Sequence, residues 1–370
     1  MLKEIYIDNF RRFINQRIEF SETMLIKGRN GTGKTTLIEL IRRLKRFIVN
    51  NDNTGHVNEL FTSEDVPRWL SGDYGQVLSH IEIKLQKAGI EYVYKLKIQL
   101  SQKDEKVRIY SEQLAINDEL VYVSGIDDDN VHVRTDDGRD FVYGFDWHHS
   151  GLLISARVSK KIRTFLDEVD HRIHAFVLEP DTILEDDNQS EALAFTGHNF
   201  SQWYSKMLTR DIESASDVLK SYREFLPNCK RVFLDNNNEF TIEETGLEKS
   251  LFDIRFSELS TGQKKLCIYY AIFKLFPENS TFIFDEFENH LSPNELQPLY
   301  DMIQTQQDER DNQVILVSHH DKTINWYHES SLEFSLSGLP AHVKVDRAGD
   351  NGDVDDFFQV VQNHTAPYRM

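Results

Sequence analysis

An α/β fold interrupted by a β-rich insertion is what this 370-residue sequence predicts, and three observations carry the prediction. A short apolar run, "TMLIKG", enters a glycine-rich loop, and a stretch with apolar residues at helical spacing leaves it. Two later apolar runs, "STFIFDE" and "QVILVSHH", read as buried strands that end in acidic or histidine side chains. Between these two halves lies a long series of alternating polar and apolar runs punctuated by turn residues.

Taken in order, "KEIYIDNFRRF" and "NQRIEF" alternate like an antiparallel pair of strands. After the glycine-rich loop, Leu37, Ile38, Ile41, Leu44 and Phe47 with Ile48 mark one face of a helix, so residues 1–50 form the first half of an α/β head. A β-rich insertion follows over residues 51–158. It opens with a polar stretch broken by Gly and Pro and continues through "SHIEIKLQ", "EYVYKLKIQL", "KVRIYSEQLAI", "ELVYVSGI" and "VHVRTDDGRDFVYGF". Asp137-Gly138 at the centre of the last run is a hairpin-turn signal. Helical spacing returns over residues 159–249 and predicts a helical lobe, with Trp203, Met207, Ile212, Val218, Leu219, Tyr222 and Phe225 as the core of one long helix. "AFVLEPDTI" within it reads as a short strand, and no heptad pattern persists long enough for an extended coiled coil. Residues 250–335 form the second half of the head, with a helix after Ser260, a buried strand, a helix after Pro293 and a second buried strand. Residues 336–370 hold a last strand and an acidic tail, which reads as poorly ordered or as a docking segment.

Composition narrows the class. Forty-two basic against 61 acidic residues give a net charge of −19, which excludes a general polyanion-binding surface. Contact with nucleic acid would need a local basic patch, for which "RRLKRF" (Arg42 to Arg46) is the candidate, although such clusters are more often a solvated helix face. The two cysteines, Cys229 and Cys267, form no C-x-x-C pair and read as buried thiols in a reducing compartment. No signal-like start and no apolar run near the ~20 residues of a membrane span is present, so a soluble cytoplasmic protein with no membrane partner is expected.

The chemistry sits in three places. Gly28-Arg29-Asn30-Gly31-Thr32-Gly33-Lys34-Thr35 fits G-x-x-x-x-G-K-[ST] at every fixed position, in the strand–loop–helix setting this motif requires. Asn30, Gly31, Thr32, Gly33, Lys34, Thr35 and Thr36 are therefore the expected nucleotide-binding residues, with the loop amides cradling phosphate at a helix start. Lys34 would reach the β and γ phosphates and Thr35 would bind Mg²⁺ through its hydroxyl. Asp285, at the end of a buried strand, is the second candidate for Mg²⁺. Glu286 would orient or deprotonate the attacking water, pointing away from Asp285 if strand geometry persists. His319 would sense the γ-phosphate. Neighbouring histidines on a strand face opposite sides, so neither His319-His320 nor His148-His149 suits joint metal ligation.

Together with "LSTGQ" (Leu259 to Gln263), these elements resemble the ABC-type ATPases, whose signature motif is usually written LSGGQ. The resemblance implies ATP and Mg²⁺ as cofactors, and an anion site at Ser260, Gly262 and Gln263 that closes on the γ-phosphate held by a second copy. The expected assembly is an ATP-sandwich homodimer or a higher homo-oligomer. "YIDNFRRF" resembles the opening of the SMC, RecF and RecN group, and places Arg11 and Arg12 near the nucleotide phosphate or base. "DEFENHLSP" and "SHH" resemble the overcoming-lysogenization-defect family and related defence ATPases. The implied protein is an AAA-family ATPase of the SMC/RecF/OLD-like class without a long coiled coil: an ABC-type head with an inserted β-meander and a helical lobe. The implied role is antiphage defence with a nuclease or toxin partner. The rival readings are a repair ATPase that binds DNA ends directly, and an ATP-glued scaffold that sequesters an effector with little turnover. One departure stands out: where the family has a Q-loop glutamine, "AFVLEPDTI" offers Glu179 and Asp181.

Overall fold

The computed structural model describes residues 1–49, 56–70, 77–101, 106–126, 128–183, 192–210, 218, 222, 226, 228–319, 323–324, 327 and 330–347. It divides into two compact units, residues 1–173 with 321–370, and residues 174–320.

In the first unit β1 (Leu2–Asp8) runs antiparallel to β2 (Gln16–Glu19), with Ile5 opposite Ile18. β3 (Thr23–Gly28) leads through the glycine-rich loop into α1 (Lys34–Val49), whose Leu37, Ile38, Ile41, Leu44, Phe47 and Ile48 are buried as the helical spacing requires. The short helix α2 (Val57–Leu60) precedes the meander β4 (Val77–Lys87), β5 (Ile90–Ser101), β6 (Lys106–Ile116), β7 (Glu119–Gly125), β8 (Asn130–Arg134) and β9 (Asp140–Gly144). β4 pairs antiparallel with β1, so the meander extends one eight-stranded sheet in the order β2-β1-β4-β5-β6-β7-β8-β9. The break expected between residues 50 and 51 is thus no break in the sheet. Asp137-Gly138 lies in the β8–β9 turn, where Gly138 takes φ +80°.

Alternation sets the inner face of this sheet: Tyr92, Tyr94, Leu96, Ile98 and Leu100 of β5 are all buried. Among them Glu112 of β6 is fully buried. It accepts hydrogen bonds from Tyr94 Oη (2.8 Å), Tyr122 Oη (2.7 Å) and Ser150 Oγ (2.6 Å). Burial pushes its carboxyl pKa up, against the opposing pull of these donors. The network pins the segment at Ser150-Gly151 to the sheet, just before α3 (Leu152–Ser155) and α4 (Lys160–Arg172).

Two members of the basic cluster of α1 are engaged inside the unit. Arg43 donates to Asp65 Oδ2 at 2.8 Å and also pairs with Glu39. Lys45 Nζ donates to the carbonyl oxygens of Asp170 (2.5 Å) and Ile173 (2.8 Å), tying α1 to the end of α4. Burial holds the Lys45 ammonium down to about 8. The chain's last described strands, β16 (Ser331–Ser337) and β17 (His342–Arg347), complete this unit. β16 runs parallel to β3, and β17 antiparallel to β16.

The second unit opens with β10 (Ile173–Val177), followed by α5 (Phe200–Arg210). The end of the segment expected as a helical lobe turns to strands instead: β11 (Cys229–Leu234) and β12 (Phe240–Thr245) join β13 (Leu251–Arg255), at the start of the expected second half of the head, in a three-stranded antiparallel sheet. Phe240 of β12 packs against Phe200 of α5 with ring centroids 5.1 Å apart. The sequence signal was the turn "DNNNE", with Asn238 at φ 58°, between "RVFL" and "FTIEE". Of the long helix expected here, Trp203, Val218 and Tyr222 are buried, whereas Ile212, Leu219 and Phe225 lie outside the described residues.

α6 (Thr261–Leu275) is buried on nearly every side, its stretch from Leu266 to Phe273 being apolar all round. β14 (Thr281–Asp285) and β15 (Gln313–Val317) are parallel and wholly buried, with β10 on the other side of β14, and α7 (Pro293–Arg310) lies between them in sequence. Phe273 of α6 meets Phe282 and Phe284 of β14 edge-on, at 5.5 and 5.7 Å. Among the described residues no helix is long and apolar enough to cross a membrane, and no group of side chains is arranged to hold a metal ion. The acidic tail from residue 348 and His320 lie outside the described residues.

Candidate active site

The phosphate loop of the first unit is built on close backbone approaches. A Cβ at Gly28 would lie 2.2 Å from the Phe334 carbonyl oxygen of β16, so only glycine lets β3 end there. Gly33 takes φ +102°, and a Cβ on it would meet Val343 of β17 at 2.9 Å and the Phe13 ring at 3.1 Å. Lys34 is buried, and its Nζ donates to the carbonyls of Gly28 (2.8 Å) and Arg29 (3.0 Å), which places the ammonium at the centre of the loop. Thr32 is buried with its hydroxyl on the Arg29 carbonyl at 2.8 Å. Asn30, Gly31 and Thr35 are exposed, and Thr36 is half-buried on the first turn of α1. Phe13 and Val343, which floor this loop, were not singled out from the sequence. Their only signal was an aromatic residue in "FRRF" and an apolar alternation far downstream.

The two arginines ahead of the loop part company. Arg11 spends its guanidinium on carboxylates, with Nη1 to Glu39 at 2.6 Å and Nε to Asp65 at 2.8 Å, in the cluster that also holds Arg43. Arg12 is exposed, and its carbonyl accepts from the Val343 amide at 2.8 Å, beside the loop floor.

In the second unit β14 delivers Asp285 as a buried carboxylate at its end. Strand geometry does not persist past it. Glu286 takes φ 50°, its amide donates to Asp285 Oδ1 at 3.1 Å, and its exposed carboxylate accepts from Asn289 Nδ2 at 2.7 Å. The two carboxylates are thus parted by a left-handed turn rather than by strand alternation. The next residues stay tightly held: Ser318 Oγ, just past β15, donates to buried Glu288, and the exposed His319 follows it.

Ser260 is the N-cap of α6 and is itself exposed. Its Oγ accepts from the Gln263 amide at 3.3 Å, while Gln263 Oε1 accepts from the Ser260 amide at 3.1 Å, a reciprocal capping box. Gly262 sits in the same first turn against His290: a Cβ there would lie 2.3 Å from the His290 carbonyl oxygen. Asp181, in the segment that lacks the expected glutamine, accepts from Thr261 Oγ1 (3.1 Å) and Lys264 Nζ (2.6 Å), and the lysine holds its carboxyl below the usual range. This segment ties its acid to the first turn of α6.

A strand–loop–helix with its lysine inside the loop, together with a buried strand ending in paired carboxylates, defines a P-loop ATPase. The chain belongs to the family described as "AAA domain, putative AbiEii toxin, Type IV TA system", whose model matches residues 24–325. Among solved structures it is similar to an SMC head bound to the C-winged helix domain of ScpA. Identity there is 16%, the TM-score is 0.55, and the match covers 94% of this chain and 98% of that one. It also aligns with the SMC head domain from Thermotoga maritima (14% identity, TM-score 0.43, 93% and 98% covered). A third alignment is with the SMC head with an extended coiled coil bound to the C-terminal domain of ScpA from Pyrococcus furiosus (13%, 0.47, 98% and 98%). No curated protein sequence matches the chain.

Proposed function

We propose that this ATPase engages a second copy of itself on ATP, the phosphate loop of one chain facing the signature helix of the other, and that hydrolysis releases the pair. The observation that carries this reading is the exposure of the capped start of α6 at Ser260. A helix N-terminus suits a phosphate, and the capping residue of this one is exposed to solvent. Lys34 would exchange the Gly28 and Arg29 carbonyls for phosphate oxygens without moving its stem. The Thr35 hydroxyl and the Asp285 carboxylate are each a hard oxygen donor of the kind Mg²⁺ takes, and Mg²⁺ when bound would neutralise charge on the phosphates. Glu286, exposed and held by Asn289, would orient the attacking water, and His319 would contact the γ-phosphate. Arg12, exposed beside the loop floor, is better placed for phosphate than Arg11.

The family's description, which names a putative AbiEii toxin of a type IV toxin–antitoxin system, supports a defence role; the nuclease or toxin partner is an extension of that reading. Direct binding of DNA ends through Arg42 to Arg46 is the weaker reading, because Arg43 and Lys45 are engaged inside the unit. The test is Glu286→Gln with saturating ATP and Mg²⁺ in light scattering. A dimer or higher oligomer is expected, and a persistent monomer removes the sandwich.

A further inference from the structure

Gly262, Lys265 and Tyr269 are spaced i, i+3 and i+7 and so share one face of α6. Each meets a backbone carbonyl of the turn that follows β14. Lys265 Nζ donates to the Glu286 carbonyl at 3.2 Å, Tyr269 Oη donates to the Phe287 carbonyl at 3.0 Å, and Gly262 lies flush against the His290 carbonyl. The turn they grip is bent at both ends into left-handed backbone, Glu286 at φ 50° and His290 at φ 69°. Such conformations persist only where surrounding contacts hold them. Lys265 is 1% exposed, so its ammonium sits in low dielectric, where a bond to a carbonyl is strong and directional.

We propose that Lys265 is a positioning residue for hydrolysis: it holds the Glu286 peptide in its left-handed bend and links the start of the signature helix to the water-orienting carboxylate of the same chain. An anion seated at Ser260 pulls on the first turn of α6, and Lys265, one turn further on, passes that displacement to Glu286. Each chain would then register its neighbour's nucleotide at its own hydrolytic turn. Burial lowers the Lys265 pKa to about 8, opposed by the attraction of Glu286, Glu288 and Glu179. The ammonium thus faces acidic groups on the turn after β14 and on the segment after β10. This inference rests on Glu286 being the water-orienting group.

The experiment is a double-mutant cycle in the full chain, using Lys265→Met, Glu286→Gln and the pair, with Lys265→Arg as the conservative variant. Phosphate release at saturating ATP and Mg²⁺ gives kcat, and a fluorescent ATP analogue reports binding. Lys265→Met is expected to lower kcat by about tenfold or more with KM and analogue affinity held, since misplacing a catalytic group by a fraction of an ångström suffices. Lys265→Arg should recover most of the loss. In the Glu286→Gln background Lys265→Met should add less than about twofold, because both changes act on one group. Independent, multiplicative losses would overturn the proposal, as would a loss carried in KM. If Lys265→Met does not fold by circular dichroism, Lys265→Gln takes its place in the cycle. A Glu286→Gln variant that keeps wild-type kcat would instead sink the assignment of Glu286, which is a separate failure.

Discussion

Replacing Gly262 by alanine sets two physical effects against each other. Helix propensity alone favours the change by about 1 kcal/mol, since glycine is a poor helix former. The packing opposes it: the new Cβ would stand 2.3 Å from the His290 carbonyl oxygen, whereas real Cβ contacts essentially never fall under 3.0 Å. The obstacle is backbone, not the end of a flexible side chain, so the turn must give by at least about 0.7 Å. That turn carries Glu286 at its other end, between the Lys265 and Asn289 contacts. Overpacking of this kind costs roughly 1–3 kcal/mol, so net stability should fall by about 1 kcal/mol. With Glu286 as the proposed water-orienting group, a shift approaching 1 Å there would cost about 100-fold in rate. Gly262→Ala should therefore lower kcat by about that factor while leaving ATP-analogue binding at Lys34 unchanged. Steady-state phosphate release and equilibrium fluorescence titration read the two quantities. If the variant keeps kcat within about threefold of wild type, the turn is softer than its contacts imply and the reasoning fails.

Two further outcomes follow from other parts of the molecule. Ser260→Arg should abolish hydrolysis but not analogue binding. Mixing it with inactive Lys34→Ala should restore part of the activity, because a mixed pair would hold one intact loop opposite one intact signature; no recovery on mixing argues against pairing in trans. Glu112→Leu, which strips a buried carboxylate from Tyr94, Tyr122 and Ser150, should cost about 3 kcal/mol of stability in urea unfolding, and an unchanged midpoint would show the network to be dispensable.

The parts of the fold that the chain writes locally were readable in advance. The phosphate loop depends on residues adjacent in sequence, the β1–β2 pair and the meander on period-two alternation, and β14 and β15 on short unbroken apolar runs. What escaped depends on distant partners. "RRLKRF" looks like a charged face until Asp65 and the end of α4 arrive to take Arg43 and Lys45. β11 to β13 mix charges with short apolar stretches, and only their pairing and the packing of Phe240 make them strands. The candidate carboxylates were legible by position but not by direction, because the left-handed bend at Glu286 is imposed by carbonyl contacts to α6. Asp181 could be seen to stand where a glutamine was expected. Its attachment to Thr261 and Lys264 could not.

The loop that begins at Gly28 is finished by strands that come near the end of the chain. β16 supplies the backbone against which Gly28 lies, and β17 supplies Val343 under Gly33 and the amide that holds Arg12. During synthesis, the loop is therefore made about 300 residues before the strands that wall it. A chain cut short of β17 would display the glycine-rich sequence without the surface that shapes it, and such a chain is expected to bind nucleotide more weakly than one that carries Val343.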